Sequence, residues 1–219
     1  FDGTAPQAIV STGPSGNVGW FHLTIASGAT VVPPSGQPLA AQGNLAIQGT
    51  LTANVPAIDV SGDLTVAAGA ALVAPAALTI HSIGQLTVQG TLTAAQARLL
   101  CDLDFLLLAA GTAQIGSGNH QIQRNVTSLG TLSAASGATF RLAGPGTLRS
   151  STGAAALPDT VISGSYTTPG ATINGSLTQT GGTLTIDATA GPAVLRVILD
   201  ASFFGTTVTA IGSPTTLDV

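Results

Sequence analysis

The stretch Gly43-Asn44-Leu45-Ala46-Ile47-Gln48-Gly49-Thr50-Leu51-Thr52-Ala53 returns at an offset of 41 as Gly84-Gln85-Leu86-Thr87-Val88-Gln89-Gly90-Thr91-Leu92-Thr93-Ala94, with eight of eleven positions identical. A third copy, beginning Gly62-Asp63-Leu64-Thr65-Val66, lies between them at offsets of 19 and 22, so the period is about 20.5 residues. The short unit recurs as Gly130-Thr131-Leu132-Ser133-Ala134, 40 residues beyond Gly90, and weaker versions start at Gly146, Gly175 and Gly182. Within each copy an apolar-polar-apolar triplet such as Leu64-Thr65-Val66 or Leu86-Thr87-Val88 is bounded by Gly, Asn, Asp or Ser. This is the pattern of short strands separated by turns.

A strand-turn unit of this size cannot bury its apolar side alone, whereas stacking each unit on the next gathers the inward Leu, Ile and Val into one core. The sequence therefore predicts an all-β fold, a right-handed parallel β-helix (β-solenoid) with coils of about 20 residues, forming one domain over residues 1–219. About ten to eleven coils spaced by about 4.8 Å give a rod of about 50 Å. A sandwich or barrel also has many short strands, but gives no reason for one peptide to return at a fixed offset.

Composition points the same way. The 219-residue chain is 44% hydrophobic, enough for one continuous core. Its five bases are all Arg and its nine acids all Asp, with no Lys or Glu, so strong helix formers are missing where Gly, Thr, Ser and Ala abound. Charged residues are only 6%, which leaves a neutral surface of Thr, Ser, Asn, Gln and backbone. The net charge is −4 and Arg98, Arg124, Arg141, Arg149 and Arg196 are dispersed, so nucleic acid is not expected as a partner. The most apolar window, residues 99–115, is interrupted by Asp102 and Asp104 and is too short and polar for a membrane span. The chain starts at Phe1 and reads as a processed mature chain or an excerpt from a longer one.

Two segments resist simple parsing. Residues 95–110 suit a helix through Leu99, Leu103, Leu106 and Leu107, or strands through Leu99, Cys101, Leu103, Phe105 and Leu107. The repeat spacing needs a coil there, so strands are expected, with Asp102 and Asp104 facing outward. Residues 194–204 are apolar on both faces, as in a strand covered by a neighbouring layer or a partner chain. Val194, Val197, Leu199, Phe203 and Phe204 are accordingly expected to form a self-association segment.

The opening Phe1-Asp2-Gly3-Thr4-Ala5-Pro6-Gln7-Ala8-Ile9, followed by Phe21-His22-Leu23-Thr24-Ile25 and Gly28-Ala29-Thr30-Val31, resembles repeats of secreted bacterial surface proteins, the adhesin-like and autotransporter-passenger β-helices. In those repeats an asparagine-leucine-threonine-isoleucine coil is common, and His22 stands here in place of the asparagine. The resemblance covers most of residues 1–150. It implies an extracellular or cell-surface location and a structural or adhesive rod that self-associates through its open coil ends.

The residues offer little chemistry. A polysaccharide-acting β-helix enzyme needs grouped carboxylates, and the one close acidic pair is Asp102 and Asp104. On one strand these would share a face at about 7 Å, but they read more simply as solvated charges; Asp59 and Asp63 read as turn acids. His22, His81 and His120 are dispersed, so no metal site is expected. Cys101, the single cysteine, reads as a small buried hydrophobe. Ile162-Ser163-Gly164-Ser165 lacks the glycines of a nucleophile elbow, and no cofactor is expected. Thr50/Thr52, Thr91/Thr93 and Thr131/Ser133 form a candidate surface Thr array, similar to that of ice-binding solenoids and broken by Ala71-Leu72-Val73. Trp20 and Tyr166 are the aromatic candidates for carbohydrate binding, Trp20 reading chiefly as end packing.

Overall fold

Side chains alternate sides along a strand, so a three-residue strand faces inward either at its two ends or at its centre. The Leu-Thr-Val triplets use the first option. Leu64–Val66 and Leu86–Val88 bury both ends and turn Thr65 and Thr87 outward. The Gly-Thr-Leu-Thr units use the second, since Thr50–Thr52 and Ala71–Val73 bury only Leu51 and Leu72. These opposite patterns belong to two sides of the same coil.

In the computed structural model, which describes residues 7–8, 18–151 and 156–219, the chain is a parallel β-solenoid of about nine turns of about 21 residues. The described residues contain 29 strands, in sheets of seven, ten and twelve strands, and no helix. One coil runs Ala57–Val60, Leu64–Val66, Ala71–Val73; the next runs Thr79–Ser82, Leu86–Val88, Thr91–Ala94, each strand pairing in parallel with its predecessor. Nine steps of about 4.8 Å make the rod roughly 43 Å long.

The register stacks like on like. Leu45, Leu64, Leu86, Phe105, Val126 and Leu148 form one inward file. Ile58, Ile80 and Leu99 belong to another, and Leu51, Leu72 and Leu92 to a third. All these side chains are fully buried in a single core. Residues 95–110 are strands as expected, Arg98–Cys101 and Phe105–Leu107, with Leu99, Cys101, Phe105 and Leu107 inward. Leu103 departs from the alternation: it sits exposed in the corner between them.

That corner, between the ten- and twelve-stranded sheets, carries a side-chain ladder. Asn44 N–H donates to His22 Nδ1 (2.9 Å), Asp63 N–H to Asn44 Oδ1 (3.0 Å) and Gln85 N–H to Asp63 Oδ1 (2.8 Å). It resumes with Asn125 N–H to Asp104 Oδ1 (3.1 Å) and Thr147 N–H to Asn125 Oδ1 (2.8 Å). Each bond satisfies a backbone donor that the turn removes from the sheet. His22 thus does through a ring nitrogen what an asparagine oxygen does in the next coil. The glycine preceding the ladder residue is required sterically: a Cβ on Gly84 would collide with Asp63 Oδ1 and the Gly62 backbone.

Beyond about residue 145 the third side is rebuilt. The seven-stranded sheet stops at Thr131–Ala134. The eight-residue strand Tyr166–Ile173 then serves two sides, pairing through its first half with Gly146–Ser150 and Thr183–Asp187 and through its second half with Ala193–Val197. A register shift between Thr147 and Arg149 accompanies this change.

Candidate functional site

The Thr residues singled out in the sequence lie together on the outer face of the seven-stranded sheet. One file runs Thr30, Thr50, Ala71, Thr91, Thr112, Thr131, in register over six coils. A second runs Thr52, Val73, Thr93, Gln114, Ser133, two residues further along each strand. Thr30 and Thr112 extend the array and were legible from the same register. Ala71 and Val73 interrupt it where expected. From Thr30–Val32 to Thr131–Ala134 these strands contain no charged or aromatic residue.

Charge collects on the neighbouring ten-stranded sheet. Asp59 and His81 are direct register partners, and His81 reaches across two coils, with Nε2 3.3 Å from Asp102 Oδ2 and Nδ1 3.9 Å from Asp59 Oδ1. All three are substantially exposed. Further along the same sheet, Arg141 Nε donates to Asn119 Oδ1 (3.2 Å) and Arg98 Nε to the Asn119 carbonyl (3.0 Å). The Asp59–His81–Asp102 row is missed when the histidines are compared only with one another; the coil period, which separates the three, is the signal that finds it.

Asp102 and Asp104 do not share a strand face. Both lie in the corner after Arg98–Cys101, where the chain changes direction. Asp102 is exposed beside His81, while Asp104 is only half exposed and accepts from both N–H and Nδ2–H of Asn125. The two acids therefore face different surroundings instead of converging on one substrate position.

Among the described residues, three titratable groups are inside. Cys101 is buried, and desolvation, reinforced by Asp102 and Asp104, pushes its thiol up to about 12. His120 lies in the core, where Nδ1 accepts from Leu99 N–H (3.1 Å) and Nε2 donates to the Gly116 carbonyl (2.9 Å). This pattern defines a neutral ring protonated on Nε2. Burial lowers its pKa, opposed by the Gly116 bond and assisted by Arg98. Tyr166, considered above for carbohydrate binding, is instead a core residue whose hydroxyl donates to the Arg124 carbonyl (2.7 Å). Its pKa is raised by burial and by Asp104. Trp20 is partly buried against the core.

Residues 194–204 are not one strand covered on both faces. They belong to Ala193–Val197 and Asp200–Phe203, which meet at a corner and lie in different sheets. Val197 points inward and is 2% exposed, so it is core rather than contact surface. Val194, Leu199 and Phe204 are exposed, and Phe203 packs partly against the core. The larger apolar opening is in the last coil. Val208 stands in register with buried Leu184, and Leu217 with buried Leu195, yet they are 41% and 39% exposed. Among the described residues nothing is stacked on them.

No protein-family model, no curated protein and no solved structure matches this chain in comparisons against each.

Proposed function

We propose that the chain is a non-catalytic structural or adhesive rod of a bacterial cell surface that self-associates through its last coil, onto which a second copy stacks. The observation that carries this reading is the open final coil. Val208 and Leu217 repeat the core positions of Leu184 and Leu195, and Asp200–Phe203, Thr207–Ile211 and Thr215–Asp218 each end a parallel ladder. An uncovered sheet edge offers a row of unpaired backbone groups to another strand. Burying a Val or Leu side chain contributes about 1.5–3 kcal/mol, so another coil placed here gains both core contacts and ladder bonds. The extracellular placement rests on the resemblance of the repeats to surface β-helices, and the separate surroundings of Asp102 and Asp104 favour a non-catalytic role.

Light scattering coupled to size-exclusion chromatography tests the joining. The chain is expected to form concentration-dependent oligomers, and Val208→Lys with Leu217→Lys to abolish them while the circular dichroism spectrum is kept. A monomer at every concentration would refute it.

A further inference from the structure

We propose that the outer face of the seven-stranded sheet binds ordered water and thereby the surface of ice. Adjacent coils repeat at about 4.7–4.9 Å along the rod, and alternate outward residues at about 6.6 Å along each strand. The Thr files therefore form a near-rectangular net of methyl and hydroxyl groups that can hold water molecules at regular intervals in two directions. Thr is β-branched and stiff at χ1, and every strand in the net is held by parallel ladders on both sides except at its ends. The hydroxyls are thus spaced before any ligand arrives, which limits the ordering cost of binding.

The charge distribution distinguishes this face from its neighbour. The ten-stranded sheet and its corner carry Asp59, His81, Arg98, Asp102 and Arg141, groups that organise water around themselves. The Thr face from Thr30–Val32 to Thr131–Ala134 carries none. It also lacks aromatic rings, the amphipathic platforms that a carbohydrate-binding surface would use. Over six coils the net is about 24 Å long. Its defects are informative: Ala71 and Val73 keep a methyl group in the net but lack the hydroxyl, and Gln114 is longer than its neighbours. Because the face runs along the side of the rod, the proposal is independent of joining at the coil ends.

The test is thermal hysteresis with partition of the labelled chain into a growing ice hemisphere. The chain is expected to shape ice crystals and enter the ice. Thr91→Lys is expected to lose hysteresis to the buffer level with unchanged circular dichroism, while Thr65→Lys, outward on the twelve-stranded sheet, keeps it. Ala71→Thr with Val73→Thr completes the net and is expected to raise hysteresis above that of the original chain. Absence of both hysteresis and ice partition in the original chain overturns the proposal, whether or not the face instead captures insoluble polysaccharide or pairs two rods laterally. So does a folded Thr91→Lys chain of full activity; should that variant misfold, an Ala71→Thr/Val73→Thr chain no more active than the original overturns it.

Discussion

Replacing His120 by Gln is expected to remove a component of acid destabilisation. Neutral His120 accepts from Leu99 N–H through Nδ1 and donates to the Gly116 carbonyl through Nε2, inside the core and edge-on to Phe140 at 5.8 Å. Protonation turns Nδ1 into a donor facing a donor, and leaving a buried N–H unsatisfied costs about 1–3 kcal/mol. The folded-state pKa lies below the ordinary imidazole value of 6.5 because burial disfavours the cation. The unfolded chain therefore binds the extra proton first as pH falls. Stability from this group is complete above 6.5 and is lost as pH falls below it, at no more than about 1.4 kcal/mol per pH unit. A glutamine side chain can supply an acceptor and a donor without titrating. Urea unfolding of both chains between about pH 8 and 4 is the assay, the range bracketing the histidine value. The difference between the curves is expected to be flat above the imidazole value and to favour the His120→Gln chain increasingly below it. Parallel curves throughout would refute the assigned role of the ring.

Three further outcomes follow from the corners and the core. Asp63→Ala removes the acceptor for Gln85 N–H and is expected to lower stability by about 1 kcal/mol, whereas Asp63→Asn keeps the ladder; equal melting temperatures for the two would contradict it. Leu86→Ala, in the middle of a fully buried file, is expected to cost about 2–5 kcal/mol in denaturant unfolding. Cys101, with its thiol pushed up to about 12, is expected to resist thiol reagents at neutral pH until the chain is unfolded. Rapid labelling of the native chain would show that its coil opens.

The fold was legible because its repeat is written twice over, once in the Leu-Thr-Val triplet with both ends buried and once in Gly-Thr-Leu-Thr with only the centre buried. Stacking converts a sequence offset into contact, so the Thr files could be read before the structure. Corners were harder. A strand's alternation puts Asp102 and Asp104 on one face with Leu103 opposite, but the chain turns there and sends them to different surroundings. The contact of His81 with Asp59 and Asp102 follows coil steps of 22 and 21 residues and shows only when the period is applied to charged residues, while later steps range from 17 to 24. Past residue 145, one strand serves two sides of the rod, and the short repeat no longer reports which way Val197 or Tyr166 points.

Electron microscopy of the purified chain tests the central claim most directly. Joined rods are expected, in lengths that are multiples of roughly 43 Å, with the spacing of about 4.8 Å continuing across each junction. A uniform population of single short particles, unchanged as concentration rises, would contradict an open last coil that receives another.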